Sequence, residues 1–363
     1  MTGRRRPLVV VSAVALVEGG PLTVLREAVA GARAFPGADF RFLVADDRSW
    51  EPDDHVGFVG FPHARRSYAR RLFTEYVQFP ALSRRWLPDV WLSLHDTTPP
   101  VRARRQAVYC QNPLPVWTPT FVDLRLHPLE VVRSKVYAIV YRLFSQRNDF
   151  VIAQLPWFAR FVGGLMRVPE SELLVVTPEP TAFAGEPDGA SALAEERATL
   201  ECFYPSLPRV FKNAEEAIAL CDQPGIGLTL TMTGEENSYA AHVRDRARGR
   251  RVRFVGRLSH ADVLATMTDA DVVLVPSRLE TFGLPIQEAI ALDRVLVVPI
   301  HPWTVEIAAG YPKAYFYGSL EQGRAIIAAL AAGESPEMIR PSPVADDVAR
   351  VQGFPGLYER LLT

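Results

Sequence analysis

The sequence contains little cysteine and lacks any long apolar run. Its 363 residues include three cysteines, Cys110, Cys202 and Cys221, without the spacing of a disulfide framework or a zinc site. We therefore expect reduced thiols and a cytoplasmic protein. No apolar stretch reaches the roughly 18 residues of a membrane helix. Residues 8–17 precede Glu-Gly-Gly rather than a small-residue cleavage site, so we interpret them as a β-strand and not as a signal peptide.

Sequence patterns of two common enzyme classes are also missing. The chain has no Gly-x-Gly-x-x-Gly fingerprint, which argues against a dehydrogenase, and no Gly-x-Ser-x-Gly elbow, which argues against a serine hydrolase. Charge is unevenly distributed, because residues 1–180 carry 23 Lys and Arg against 17 Asp and Glu. This basic half indicates an anionic partner, such as a membrane surface or a phosphorylated acceptor, and a solvated Arg-rich surface is the alternative. Nothing in this pattern indicates a nucleic-acid partner.

The most informative stretch lies at residues 271–290. An apolar run, Asp271–Pro276, is typical of a buried parallel strand, Gly283 provides a turn, and Pro285 suits the first position of a helix. Open α/β sheets bind ligands at such junctions. The backbone amides at the helix start and the two carboxylates beside it suit a ligand rich in hydroxyl groups. These groups belong to Phe282, Gly283, Leu284, Glu280 and Glu288.

The string SRLETFGLPIQEA at residues 277–289 resembles the Glu-x7-Glu motif of retaining glycosyltransferases of family 4. The resemblance implies an α/β protein of the GT-B fold, in which two Rossmann-like domains with parallel sheets face each other across a cleft. It also implies that Glu280 contacts hydroxyls of the donor sugar and that Glu288 contacts the ribose of the nucleotide. Either glutamate alone has an ordinary structural explanation, and the whole string favours the glycosyltransferase.

The first strand of the chain is followed by a similar junction. Pro7–Val17 is predicted as a strand, Gly19 and Gly20 as a break, Thr23–Phe35 as a helix and Asp39–Val44 as the second strand. In GT-B enzymes a Gly-Gly loop at this place faces the cleft. The resemblance therefore implies that both glycines lie near the donor diphosphate, and a plain tight turn is the alternative.

Two further predicted strands end in polar residues. One ends at His95 and Asp96, and the other, Val108–Cys110, runs into Gln111. The sequence of the second strand and Gln111 resembles a branch of the family that adds rhamnosyl, mannosyl or fucosyl units to polysaccharides. In that branch a histidine stands where this chain has Gln111. We predict that His95, Asp96 and Gln111 face the acceptor, with a structural role for His95 as the alternative.

Residues 65–86 mix arginines with aromatic and aliphatic residues in a helical pattern interrupted by Pro80. Such a helix can lie on a membrane interface. Packing on the sheet with the arginines turned to solvent is an equally good explanation.

Basic residues precede a predicted helix, Ala214–Cys221, in the second half. Cations at a helix start suit a diphosphate, and family 4 enzymes carry an arginine and a lysine here. The resemblance implies that Lys212 and Arg209 form this pair and act with Glu280 in catalysis. A solvated loop is the alternative for both.

The ends of the following two strands are predicted to contact the nucleotide. The resemblance places Thr233 and Gly234 beside it, and Val255 to Leu258 beside the nucleobase. The Asp269-Ala270-Asp271 string matches Asp-x-Asp, a metal-binding motif of other glycosyltransferases, but it spans the turn into a core strand. We predict a structural Asp271, no metal and no cofactor besides the nucleotide sugar.

The predicted organisation has four parts. They are an acceptor-side domain at 1–182, a linker at 183–198, a donor-binding domain at 199–343, and a final helical segment at 344–363 that returns to the first domain. The predicted function is transfer of a sugar from a nucleotide diphosphate sugar to a glycan, lipid-linked or small-molecule acceptor, with retention of configuration. The alternatives are a sugar-nucleotide hydrolase or epimerase, or a donor-binding but inactive subunit of a glycan-assembly complex.

Overall fold

The computed structural model describes residues 5–177, 189–193, 198–342 and 347–363, which divide into two compact units. The first unit lies within Met1–Pro115, Lys135–Glu179 and Asp346–Thr363, and the second within Val116–Ser134 and Pro180–Ala345. No helix in the described ranges is both long enough and apolar enough to cross a membrane.

The strands of the described residues are numbered in chain order. They are β1 Leu8–Ser12, β2 Asp39–Val44, β3 Val56–Gly60, β4 Val90–Ser93, β5 Arg105–Cys110, β6 Phe150–Ala153, β7 Leu173–Val175, β8 Leu200–Tyr204, β9 Ile226–Leu230, β10 Val252–Phe254, β11 Val272–Leu274, β12 Val295–Pro299, β13 Ala314–Tyr317 and β14 Ala349–Arg350.

The α-helices are numbered in the same way. They are α1 Gly19–Arg33, α2 Tyr68–Phe73, α3 Phe79–Trp86, α4 Phe121–Leu126, α5 Pro128–Arg142, α6 Pro156–Met166, α7 Ala214–Cys221, α8 Ser238–Arg246, α9 His260–Asp269, α10 Leu284–Ala291, α11 Pro302–Ala308, α12 Leu320–Ala331 and α13 Gly353–Leu362. Thr74–Gln78 forms one π-helical turn, and short 3-10 helices occupy Asp47–Ser49, Pro62–Arg66, Leu114–Val116, Ser145–Arg147, Glu170–Glu172 and Val210–Lys212.

Each unit contains one sheet whose neighbouring strands run parallel. The first sheet has the order β14-β7-β6-β5-β4-β1-β2-β3, and the second has the order β10-β9-β8-β11-β12-β13. Strand β1 shows why its sequence is apolar throughout. Val9 and Val11 pack into one core cluster, while Leu8 and Val10 pack into another that includes Trp91. A parallel strand with helices on both faces buries both sets of side chains.

The last helix, α13, completes the core of the first unit by packing on α1. The Tyr358 hydroxyl donates a hydrogen bond to the Ala28 carbonyl oxygen over 2.8 Å, and the tyrosine is fully buried. Gly31 permits this contact, since a Cβ there would lie 2.6 Å from the Phe354 Cβ. The helix begins later than the predicted start at residue 344, because Ala349 and Arg350 first pair with β7. Residues 343–346 lie outside the described residues.

The structure corrects two features of the predicted organisation. Gly19 and Gly20 do not form a loop before the first helix but the first turn of α1, after Glu18 in an extended conformation. Residues 116–134 cluster with the second unit rather than within a first domain that continues to residue 182, because their side chains and backbone bond to residues of that unit. The predicted linker at 183–198 falls largely outside the described residues.

Candidate functional site

The loop between β11 and α10 carries the Glu-x7-Glu sequence and takes the predicted form. Gly283 caps α10 with a φ of 65°, in the left-handed region, and Pro285 occupies the first turn. A Cβ at Gly283 would lie 2.7 Å from Cδ1 of Ile307. Glycine is therefore required here both for the backbone conformation and for the close approach of α11.

Glu280 is buried and ionically paired with Lys212. The Lys212 ammonium donates to Glu280 Oε1, and the Ser277 hydroxyl donates to the same oxygen over 2.9 Å. The Tyr204 hydroxyl lies 2.8 Å from Ser277 Oγ and 2.7 Å from the Lys212 carbonyl oxygen. The lysine and the glutamate, 68 positions apart, are thus held together by two residues that end β8 and follow β11.

The backbone after Lys212 explains why asparagine follows the lysine. Asn213 adopts a left-handed conformation with a φ of 57°, which asparagine tolerates better than most residues. Its side-chain amide donates to the Pro276 carbonyl oxygen over 3.2 Å and so joins the start of α7 to the end of the β11 segment. Arg209 is exposed, and its guanidinium lies 6.0 Å from the Phe211 ring centroid rather than beside Glu280.

Glu288, on α10, has a partner that the sequence did not reveal. His260 Nε2 lies 2.9 Å from Glu288 Oε1, at the first residue of α9. Burial raises the pKa of Glu288, and the hydrogen bond from His260 opposes that rise. Ser259 and Asp262 give α9 a readable N-terminal cap, but nothing in the local pattern indicates a pairing with residue 288.

Thr233 and Gly234 surround a carboxylate of their own loop. The Glu236 side chain accepts hydrogen bonds from the backbone amides of Thr233, Gly234 and Glu235. Burial raises the pKa of Glu236, but these backbone hydrogen bonds outweigh it and the net shift is downward. The loop therefore has the geometry of an anion-binding nest, and Glu236 occupies it.

The predicted nucleobase contacts lie next to this nest. A Cβ at Gly256 would be 3.4 Å from Thr233 Cγ2, so the ends of β9 and β10 adjoin. The Val255 amide donates to the Leu230 carbonyl oxygen over 3.0 Å and is used by the sheet. The half-buried side chains of Val255 and Leu258 remain as candidate apolar contacts.

Arg278, inside the motif, forms a two-pronged ion pair with Asp123. Its guanidinium nitrogens lie 2.7 and 3.1 Å from the two carboxylate oxygens, and it also donates to the Val210 carbonyl oxygen. Asp123 is buried and completes a capping box with Thr120 at the start of α4. Burial raises the pKa of Asp123, but the hydrogen bonds from Arg278 and Thr120 outweigh it and lower it overall.

In the first unit, the three acceptor-side candidates lie at the ends of β4 and β5. Asp96, with a φ of 67°, accepts hydrogen bonds from the amides of Gln111 and Asn112 and lies 2.8 Å from the Tyr141 hydroxyl. The Gln111 side chain donates to the Leu94 carbonyl oxygen. Asp96 and Gln111 therefore tie these strand ends together, and their contact with an acceptor remains a prediction.

His95 belongs to a buried cluster around Glu75. His95 Nδ1 lies 3.0 Å from Thr97 Oγ1, and Glu75 accepts from Thr97 and from Arg71. Burial lowers the pKa of His95, although Glu75 opposes that shift, so the imidazole is neutral near pH 7. Glu75 is fully buried on the π-helical turn, and nothing in the sequence marked it.

Asp271 has the structural role that its position indicated. Its carboxylate accepts from the Glu201 amide over 2.8 Å and so links the start of β11 to β8. Among the described residues, no three His, Cys, Asp or Glu side chains come together as a metal site would require.

Residues 209–311 match the family model described as "Glycosyl transferases group 1". Glycogen synthase of Mycobacterium tuberculosis is 43% identical over 106 residues, which make up 27% of this chain and 25% of that protein. The chain thus matches only about a quarter of the length of these curated relatives. The family match contains Arg209, Lys212, Glu280 and Glu288.

Solved structures resemble the chain over most of its length. Sucrose-phosphate synthase from Thermosynechococcus elongatus has a TM-score of 0.60 with 16% identity over 90% of both chains. WaaG, a glycosyltransferase involved in lipopolysaccharide biosynthesis, has a TM-score of 0.56 with 15% identity over 89% of this chain and 90% of its own. Anabaena HepE, solved with UDP and glucose, has a TM-score of 0.55 with 11% identity over 90% and 89%. The predicted α/β GT-B fold with two parallel sheets is confirmed.

Proposed function

We propose that this chain is a glycosyltransferase that takes a sugar from a nucleotide diphosphate sugar and transfers it with retention of anomeric configuration. The observation that carries this proposal is the pairing of Lys212 with Glu280 inside the segment matched by the glycosyltransferase family. The Lys212 ammonium suits a phosphate oxygen, and the Glu280 carboxylate suits sugar hydroxyls. Their proximity supports the proposal that both groups act at the bond that the reaction breaks.

The chemistry of the leaving group explains the cation. Negative charge grows on the diphosphate as the bond to the anomeric carbon lengthens. Lys212, with Arg209 and the amides at the start of α10, would stabilise that charge. We propose that these groups act without a metal ion. The pairing with Glu280 keeps the lysine ordered before the donor arrives, because the two charges compensate each other in a mostly buried place.

Glu280 and Glu288 would share the recognition of the donor. Glu280 accepts hydrogen bonds from sugar hydroxyls and orients the ring, while Glu288 accepts them from the ribose. Val255 and Leu258 line the nucleobase, and Thr233 and Gly234 lie beside the nucleotide. For retention we propose that the acceptor attacks the face from which the diphosphate leaves, and we assign no protein nucleophile.

We propose a glycan, lipid-linked or small-molecule acceptor of polysaccharide biosynthesis. HepE was solved with UDP and glucose, which supports a nucleotide sugar as the donor of this chain too. His95, Asp96 and Gln111 remain the acceptor-side candidates.

Calorimetric titration with UDP, GDP and dTDP tests the donor site. We expect tight binding of one nucleotide and its loss in Lys212→Ala. Lys313→Ala is the matched control, because Lys313 also pairs with a carboxylate, Asp293, but on the exposed surface of the same unit. Failure of all three nucleotides to bind would overturn the proposal. Release of free sugar without any glycosylated product would indicate a hydrolase instead.

A further inference from the structure

Two helical segments of the first unit expose a group of large apolar side chains. Seven residues, from 41 to 68% exposed, make up what we call the apolar face. They are Tyr68, Phe73, Val77, Val136, Ile139, Leu143 and Phe144. A water-soluble surface tolerates single exposed apolar residues, but a contiguous group of this kind marks an interaction site.

The two segments are neighbours within the unit. The rings of Tyr76 and Phe144 have centroids 6.0 Å apart, which joins the π-helical turn after α2 to the end of α5. Tyr137 of α5 also interacts with Arg71 of α2. The apolar face is therefore one surface.

The orientation of α5 is fixed by the side that it buries. Tyr141 is fully buried, and its hydroxyl lies 2.8 Å from both Asp96 Oδ1 and the Asn112 carbonyl oxygen. Val136, Ile139 and Leu143 follow one another at intervals of three and four residues and hence share one side of the helix. With Tyr141 held inward, this side is turned to solvent.

The two segments that carry the apolar face are rich in cations. Residues 62–86 and 135–148 contain nine Lys and Arg but a single acid, Glu75, which is fully buried and paired with Arg71. Arg65, Arg66 and Arg70 are exposed beside Tyr68, and Lys135 and Arg142 are exposed on α5. The two segments thus combine apolar side chains with cations and contain no exposed carboxylate.

This combination disfavours a second copy of the chain as the occupant. A two-fold dimer would place the surface against itself, so that cations would meet cations without a carboxylate to compensate them. An anionic bilayer provides what the surface lacks, since its headgroups attract arginine and lysine and its acyl boundary accepts aromatic and aliphatic side chains.

We propose that the apolar face and its cations dock the first unit on an anionic lipid bilayer. Phe73, Val77, Ile139 and Leu143 enter the headgroup boundary, while Arg66, Arg70, Lys135 and Arg142 contact lipid phosphates. This docking does not depend on the donor site, and it would bring a lipid-linked acceptor to the enzyme at the membrane surface.

Vesicle flotation tests the proposal with the full chain. Vesicles of phosphatidylglycerol mixed with phosphatidylcholine should bind the protein, vesicles of phosphatidylcholine alone should bind it far less, and added salt should weaken binding. The charge variant Arg66→Gln with Arg70→Gln should bind about 30-fold more weakly, at roughly a fivefold loss for each arginine. The apolar variant Phe73→Ser with Ile139→Ser should lose at least about tenfold.

Two matched controls remove the same groups elsewhere. Arg26→Gln with Arg48→Gln takes two exposed arginines from the same unit, and Leu320→Ser removes an exposed leucine from the second unit. Both should bind vesicles as the unaltered protein does. Nucleotide binding, measured on every variant, should be unchanged, so a failure of docking is distinguishable from a failure of the donor site.

Three results would overturn the proposal. They are no flotation with anionic vesicles, equal flotation of the charge variant and its control, or a dimer in solution that the apolar variant dissociates.

Discussion

The Arg278 guanidinium and the Asp123 carboxylate, 155 positions apart, form two parallel hydrogen bonds. Arg278 lies two positions before Glu280, and its own amide donates to the Phe211 carbonyl oxygen over 2.8 Å. The pair therefore holds three segments together: α4, the loop that carries Lys212, and the loop that carries Glu280. The Arg278–Asp123 pair thus joins the two loops that carry the catalytic candidates.

We predict that Asp123→Asn lowers the thermal unfolding midpoint of the second unit. Removal of one partner leaves the arginine without its carboxylate, at a cost of about 2–4 kcal/mol given the partial exposure of Arg278. Differential scanning calorimetry measures the change. Asp245→Asn, which breaks an exposed ion pair with Arg248, is the control and should shift the midpoint little. An equal shift in both variants would contradict the prediction.

The same pair predicts a loss of stability in acid. The pKa of Asp123 is lower in the folded protein than in the unfolded chain, so its contribution is fully present above about pH 4. It is lost as the pH falls through the unfolded value towards the folded one. The difference in unfolding midpoint between the native protein and Asp123→Asn should therefore shrink below about pH 4. A difference that stays constant down to pH 3 would count against this assignment.

Glu280→Gln should reduce kcat/KM about 100-fold or more, because a neutral amide neither pairs with Lys212 nor accepts hydroxyls in the same way. Glu321→Gln, in the exposed first turn of α12, is the control.

A double-mutant cycle adds a second readout for the pairing of Lys212 with Glu280. The stability losses of Lys212→Met and Glu280→Gln should not add, since each single variant leaves one buried charge uncompensated and the double variant leaves none. Full additivity would mean that the two residues do not interact.

Nucleotide affinity should fall in mildly acidic solution because of Glu288. Its pKa is raised by burial, and only the ionised carboxylate can accept from both ribose hydroxyls. Binding should therefore weaken as the pH falls through that raised value. Glu288→Gln should abolish this pH dependence. His260→Ala should move it to higher pH, because the hydrogen bond that favours the ionised form is gone. Calorimetry between about pH 5 and pH 7.5 measures all three proteins. Identical profiles would refute the role of the pair.

Gly283→Ala should lower both activity and stability. The substitution strains a left-handed backbone and brings a methyl group within 2.7 Å of Ile307. Gly333→Ala is a close control, because Gly333 has a φ of 72° but open space around it. It should cost about 1 kcal/mol from the backbone alone. The excess loss in Gly283→Ala then measures the contact with α11, and equal losses in the two variants would show that this contact is unimportant.

Local patterns in the sequence predicted much of the fold. The predicted bounds of β2 and α7 agree with the structure, since each is a compact segment between clear breaks. The turn at Gly283 and the helix start at Pro285 were equally readable, because the conformational preferences of glycine and proline are local.

Non-local pairings explain what the sequence did not reveal. His260 with Glu288, Asp123 with Arg278, and Thr97 with Glu75 are separated by 28, 155 and 22 positions. Each residue looks ordinary in its own segment, and its role exists only once the chain is folded. The prediction of a break at Gly19 and Gly20 was wrong because of a local preference rather than a distant contact. Glycines are usually helix breakers, but the first turn of a helix needs few internal hydrogen bonds and accepts them.

The packing of α13 on α1 has a consequence for synthesis. Phe354, Leu357, Tyr358 and Leu361 complete a core whose other members come from the first hundred and seventy-odd residues. The ribosome must therefore make the sequence of the entire second unit before the first one can finish folding. Until α13 is made, the strands of the first unit keep part of their apolar surface exposed. The strands of the second unit are all made before α13. Of the two units, the first is therefore the one that completes its core later.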